Sequence, residues 1–279
     1  MKYYGMMRFD DLTLAVGDGL ERMEIVKEAG LTADGLSADL SAPIHRLFLS
    51  RNKGIEQHEE VTAMMTASNA HMRFDGTLDP VSGTLLPAKG FPEVNLSARS
   101  SMARLLDSKL KLTDVFIDVD ASVVVSSVVK RLGFETRLIE PSGVKAGTVG
   151  PDGIHRLLLQ GESPSDVVSR MVQATGFRVS IDGYNAFSFT KATFQQEPVT
   201  IRFGGENGQA SSLQFADVDA TSIQMQDLIE VPVGGSLMLV VEGLDTMSGR
   251  YYVTRARYEL RLASELTEFD LSRTEPEAK

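Results

Sequence analysis

The chain contains no cysteine and no tryptophan. The first absence excludes a disulfide framework, a thiolate metal centre and a cysteine nucleophile together, so stability must come from burial and assembly. Aromatic residues make up only 7% of the sequence, which leaves valine, leucine, isoleucine and alanine to build aliphatic cores. No uninterrupted apolar run is long enough to cross a bilayer. No basic stripe is present either: 28 lysines and arginines are scattered singly among 38 acidic residues, for a net charge of −10. Stable binding to nucleic-acid phosphates needs gathered cations, so DNA is expected to be repelled. The opening MKYYGMMRFDDLTLAVGDG reaches Asp10 and Asp11 before any apolar core region, unlike a secretory leader. A protein made in a cytoplasm and not integral to a membrane is the expectation.

What is present suffices for two or three domains, since 279 residues at 42% hydrophobic can bury sizeable cores. Residues 1 to about 60 show short alternations (Leu12, Leu14, Val16; Leu47, Leu49) broken by Gly-Asp-Gly and Ser-Ala-Pro, a pattern of strands and turns. The stretch Gly54 to Asn69, GIEQHEEVTAMMTASN, mixes acids with Val61, Met64 and Met65 and predicts a short helix or a mobile excursion. From Ala70 to Ser100 a pair of strands with one buried face is expected, with Val94, Leu96 and Ala98 alternating with Asn95, Ser97 and Arg99.

The middle of the chain holds an internal near-repeat. Ser122 to Ile139 and Ser165 to Asp182 superpose on Gly133-Phe134 and Gly176-Phe177, aligning Val124 with Val167, Val125 with Val168, Val128 with Met171 and Val129 with Val172. Each copy predicts an amphipathic helix with apolar residues at i, i+1, i+4 and i+5, a glycine at its C-terminal end and a following strand. Ser163, Pro164 and Asp166 suit the start of the second helix. Preceding strands are expected at Val115 to Val119 and Ile154 to Leu159. After Phe194 the strand pattern returns, ending in a hairpin whose first strand places Tyr251, Val253, Arg255, Arg257 and Glu259 on one side and Tyr252, Thr254, Ala256, Tyr258 and Leu260 on the other.

Candidate chemistry is sparse. His45, His58, His71 and His155 lie on four different segments, and His58, beside Glu59 and Glu60, lacks a second histidine at helical spacing to complete a zinc pair. Asp114, Asp118 and Asp120 would share one face of a strand, where calcium is conceivable, but an extended strand lacks the tight loop of carbonyl ligands that calcium sites use, so a solvated face is expected. Asp217 and Asp219 read the same way. Gly17-Asp18-Gly19, Gly204-Gly205 and Gly234-Gly235 lack the following helix of a phosphate loop and read as turns. Arg250, Arg255, Arg257 and Arg261 form the one basic concentration, suited to an acidic partner surface or to solvent. No catalytic, cofactor-binding or metal residue is assigned, and an enzyme using the acidic strand residues would lack a positioned base or nucleophile.

Four stretches, in this order, resemble the late control protein D family of phage tail hubs, related to the spike base of type VI secretion. They are Phe74-Asp75-Gly76 with Val94-Asn95-Leu96-Ser97-Ala98; the aliphatic helix from Val123 to Phe134; Gln160-Gly161-Glu162-Ser163-Pro164-Ser165-Asp166 with Gly176 and Phe187 to Phe189; and Gly235 to Gly243 with Gly249-Arg250-Tyr251-Tyr252-Val253 and Glu265 to Arg273. The resemblance covers roughly residues 70 to 275. It implies an α+β, mostly β chain, with two tube-like β-barrel domains flanking a small α+β lobe that carries the duplicated strand–helix–strand unit. The expected boundaries are 1–112 for the first barrel, 113–193 for the lobe and 194–279 for the second barrel. Because residues before 70 match poorly, the first barrel is expected to be truncated or completed by another chain. The resemblance further implies no enzyme and no cofactor, but a virion-tail hub assembled in the host cytoplasm. Three copies would form a ring between the tail tube or distal tail protein and tip, fibre or spike proteins, passing DNA and tape-measure protein through its lumen. Any cell-wall cleavage would belong to another subunit. A second resemblance, of GESPSDVVSRMVQATGFRVSIDG to the small repeats of secretins, covers the middle third alone and implies a periplasmic ring domain instead.

Overall fold

The computed structural model describes residues 4–9, 12–40, 60–67, 70–79, 82–86, 91–182, 186–191, 198–216 and 219–274. The chain forms two compact units, one drawn from residues 1–29, 34–100 and 195–276, the other from Gly30–Ala33 and Ser101–Phe194.

In the first unit the N-terminal strands are β1 (Tyr4–Phe9), β2 (Leu12–Val16), β3 (Gly19–Glu28), β4 (Gly35–Leu40), β5 (Glu60–Ala67), β6 (Ala70–Leu78), β7 (Ser82–Leu86) and β8 (Phe91–Ser100). The pairing runs β3-β2-β1-β5-β6-β8-β4 and returns to β3, a closed seven-strand barrel with β7 attached to β8. Period-two burial explains the closure, since Leu36, Ala38 and Leu40, then Val61, Ala63, Met65 and Ala67, then Leu96 and Ala98 all turn into one core. The first barrel is therefore built from this chain, against the expectation that another chain completes it. Glu60–Ala67 is likewise a strand and no helix: alternation of small or apolar Val61, Ala63, Met65 and Ala67 outweighs the helix-favouring methionines. Residues 54–59, 68 and 69 of that stretch, with His58, lie outside the described residues. Gly76 is required where β6 meets β8, because a Cβ there would sit 2.3 Å from the Arg99 carbonyl oxygen. Beside it the buried Asp75 carboxylate accepts from Thr62 Oγ1 at 2.9 Å and from Arg73 Nε at 2.7 Å.

The second unit contains α1 (Met102–Leu106), β9 (Val115–Ile117), α2 (Ala121–Arg131), β10 (Glu135–Ile139), β11 (Thr148–Val149), β12 (His155–Leu158), α3 (Pro164–Thr175), β13 (Phe177–Asp182) and β14 (Ala186–Lys191). Two three-stranded sheets result, in the orders β11-β12-β9 and β10-β14-β13. The near-repeat is real in space. Val124, Val125, Val128 and Val129 of α2 and Val167, Val168, Met171 and Val172 of α3 enter one core with Phe134, Phe177, Phe187 and Phe189. α3 starts as expected, with Ser163 Oγ accepting from the Asp166 amide and Pro164 in the first turn; it ends on left-handed Gly176 (φ 67°).

The acidic set is where the strand reading fails. β9 stops at Ile117, and Asp118 takes a left-handed conformation (φ 52°), so the three carboxylates share no strand face. Asp120 instead caps α2, accepting from the Ser122 amide at 2.8 Å, the Ser142 amide at 3.1 Å and the Gly143 amide at 2.8 Å. Burial opposes its ionisation, but the hydrogen bonds from Ser122 and Ser142 outweigh that and hold the carboxyl far below the usual range.

The C-terminal strands of the first unit are β15 (Val199–Phe203), β16 (Ala210–Ala216), β17 (Asp219–Met225), β18 (Ser236–Val241), β19 (Gly249–Arg261) and β20 (Ser264–Ser272). They run in the order β15-β18-β19-β20-β17-β16. The two ends of this sheet are brought together where the Gln209 amide donates to the Arg202 carbonyl at 2.8 Å. β19 and β20 form the expected hairpin, but its two faces are not continuous. Thr254 is a bulge, skipped between the Val253–Leu271 and Arg255–Asp270 pairs, so burial passes from Tyr251 and Val253 to Ala256, Tyr258 and Leu260.

The bulge marks a change of partner. On one edge of β19, residues 249–252 pair with β18, and Arg255–Arg261 pair antiparallel with Glu28–Arg22 of β3. The peptide groups at the changeover are satisfied locally: Val253 exchanges hydrogen bonds with Gly234 and Gly235, and the Ala29 amide donates to the Thr254 carbonyl. β1 and β20, the first and last described strands, thus lie in one 14-stranded sheet.

Two substitutions test this account. Tyr251 Oη donates to the Met247 carbonyl and accepts from the Ala220 amide and from Arg273. Tyr251→Phe is expected to lower unfolding free energy in urea by about 1–3 kcal/mol, since it strands buried partners. Asp120→Ala is expected to cost about 1–2 kcal/mol at pH 7. Because the folded carboxyl titrates below its unfolded value, that stability is present above about pH 4 and is lost as pH falls further, so the difference between Asp120→Ala and wild type should shrink by pH 2.

Candidate functional site

The most organised polar feature is the face of β4, β3, β19 and β20 that points away from the hydrophobic core of the first unit. Alternation places Asp39 and Ser37, then Arg22, Glu24 and Glu28, then Arg255, Arg257, Glu259 and Arg261, then Glu268 and Asp270 along it. Arg257 is the hub of the network. Its Nη2 lies 2.8 Å from Glu24 Oε2 and 3.0 Å from Glu259 Oε2, and its Nη1 lies 3.3 Å from Glu268 Oε2. Arg22 joins Glu24 at 3.1 Å and Asp39 at 3.6 Å, while Arg261 joins Glu259 at 2.6 Å. Arg255 spans Glu28 and Asp270 at 3.3 and 3.7 Å.

Across β3 and β19 like charges stand directly opposite, Glu24 against Glu259 and Arg22 against Arg261. The attraction runs along the diagonals, which is why Arg257 reaches Glu24. The hydrogen bond that Arg257 donates to Glu24, followed by opposing burial and the Glu24 charge, leaves the Arg257 guanidinium more basic than usual. Asp270 is pushed up by burial, with Arg255 pulling it back. The side chains of Glu24 and Glu259 are only 15% and 9% exposed, so these charges are held in place and not merely solvated. The basic concentration of the sequence is thereby consumed inside the chain, apart from Arg250, which donates to Ser236 Oγ at 2.9 Å.

The remaining sequence candidates do not converge. His45, His58 and Asp217 lie outside the described residues. His71 is exposed, 3.4 Å from Thr66 Oγ1, and His155 sits in β12 with its Nδ1 buried and without a partner among the described residues. Asp114 is engaged by Arg131 at 2.6 Å, and Asp118 lies 3.5 Å from Lys145. Asp219 opens β17. Gly17 and Gly19 turn the chain between β2 and β3, Gly204 and Gly205 follow β15, and Gly234 and Gly235 precede β18, so none opens a helix. Among the described residues no group of three or more histidines or carboxylates could hold a metal ion. The sequence places Glu259 on the same side of its strand as Arg257, whereas Glu24 and Glu268 carry only the signal of alternation, as in Arg22-Met23-Glu24-Ile25.

No family model matches the chain, and no curated protein matches it in sequence. Solved structures do. The 43 kDa tail protein of prophage MuSo2 from Shewanella oneidensis superposes with a TM-score of 0.72 at 10% identity, over 98% of this chain and 97% of its own. A tail protein from Neisseria meningitidis MC58 gives 0.70 at 9% identity, over 97% and 96%. The chain has the fold of phage tail proteins. A type VI secretion system component of E. coli shares it at a TM-score of 0.58 and 11% identity, over 98% of this chain and 79% of that one. The resemblance carried by the four motifs is thus borne out as a tail-protein fold that extends to type VI secretion.

Arg257→Met is expected to destabilise the fold by about 2–3 kcal/mol, between an exposed and a fully buried ion pair, because it leaves Glu24 and Glu259 facing each other. Adding Glu24→Gln to that variant should recover part of the loss in the same urea titration.

Proposed function

We propose that the chain is a structural, non-enzymatic subunit of a phage-type tail, acting as a hub at the tail tip. Three copies form a ring that joins the tail tube or distal tail protein to tip, fibre or spike proteins, and its lumen passes DNA and tape-measure protein. The observation that carries this reading is the joining of the closed seven-strand barrel and the six-stranded C-terminal run into one sheet through β3 and β19. With the C-terminal run taken as a second tube-like barrel, three copies present six and so match a sixfold tube by pseudo-symmetry. The net charge of −10 supports a passage along which DNA slides without sticking. Likeness to tail proteins over 97–98% of the chain favours the hub over the secretin alternative, which rested on the middle third. A ring also protects exposed strand edges in a chain with no disulfides.

Electron microscopy of purified protein and of particles containing it tests the reading. A threefold ring at a tail tip is the expected result. A ring of twelve or more copies at an envelope would support the secretin alternative, and a monomer under every condition, in no assembly, would overturn the hub.

A further inference from the structure

The sheet β11-β12-β9 is packed on one face only. Leu157 is buried in the core of its unit with Phe116 against it, whereas Val115, Ile117 and Leu158 on the other face are 61%, 57% and 53% exposed. Val115 stands directly opposite Leu158, so the three form a continuous apolar patch. β9 is also the edge of that sheet. The Asp118 amide donates to the His155 carbonyl and the Leu159 amide to the Asp114 carbonyl, so the even-numbered residues of β9 turn their peptide groups toward β12. The N–H and C=O groups of Val115 and Ile117 therefore point outward, where no strand among the described residues meets them.

We propose that this edge takes up an extended segment of a different polypeptide as an added strand, aliphatic at alternate positions and carrying a lysine or arginine. The free peptide groups select an extended backbone, and the patch selects aliphatic side chains. Charge selects the cation. The Asp118 side chain is 58% exposed, and Lys145 Nζ lies 3.5 Å from it while making its closer contact, 2.6 Å, to the Asp118 carbonyl. The carboxylate thus keeps room for a second cation. The same charges disfavour another copy of this chain, because antiparallel pairing of two β9 strands through Val115 and Ile117 would set Asp114 of each copy against Asp118 of the other. The inference does not depend on the hub reading, since a free monomer retains the edge.

The test uses the full chain and two fluorescent synthetic peptides, both alternating valine and threonine, one ended by lysines and the other by glutamates. Anisotropy titration should show saturable binding of the lysine peptide, with hydrogen-exchange protection over residues 113–119. Binding should weaken about tenfold or more for the glutamate peptide and for Ile117→Pro, which removes an outward N–H that the β12 ladder does not use. If Ile117→Pro does not fold, Ile117→Lys keeps the backbone while removing apolar surface and repelling the peptide's lysines, and the same loss is expected. Absence of saturable binding by the lysine peptide, or equal affinity across the peptides and variants, would overturn the proposal, whatever ring the protein forms.

Discussion

The antiparallel pairing of β3 with β19 is the contact on which the rest of the first unit depends. β3 gives its first residues to β2, through the short Ala15–Gly19 and Val16–Leu20 parallel pairs, and the remainder of that edge to β19. β19 does the converse, pairing first with β18 and then with β3. The barrel and the C-terminal sheet therefore each leave part of a strand edge open, and each fills the other's. Neither edge could be left bare without exposing a row of peptide groups.

The polar face over this seam follows from that arrangement. The core side is fixed by Met23 and Ile25 against Tyr258 and Leu260, and a one-residue slip would turn all of them outward. With the register held by burial, the opposite face can tolerate like charges directly across from one another. Arg257 binds three carboxylates there at once, which makes it a structural residue and not a free cation awaiting a partner. A chain that reads as having one basic patch thus presents a neutralised one.

Features with short-range causes were legible in the sequence. The two helices, their aliphatic stripes, the Ser163 cap and the Gly176 terminus all rest on residues within a few positions of each other, and Val94, Leu96 and Ala98 declare a half-buried strand unaided. Features with long-range or competing causes were not. Asp120 continues the alternation of Asp114 and Asp118, yet only its position before an aliphatic helix distinguishes a cap from a strand residue. Met64 and Met65 hid the alternation of β5. The bulge at Thr254 leaves no mark in residue type, because threonine suits a regular strand equally well. The ion pair between Arg257 and Glu24 spans 233 residues, so local alternation shows which face each residue takes but not that the two meet.

That separation has a consequence for how the chain reaches its native state. A ribosome delivers β19 long after β3, with the second unit made in between, so the seam closes well after the strands of the first barrel have been made. Until then the nascent first barrel carries one open strand edge from Arg22 to Glu28, the other edge being held by β4. Its alternating arginine and glutamates discourage self-association of that edge during the wait. The charges that later bind Arg257 thereby serve the unfinished polypeptide as a guard against premature strand pairing.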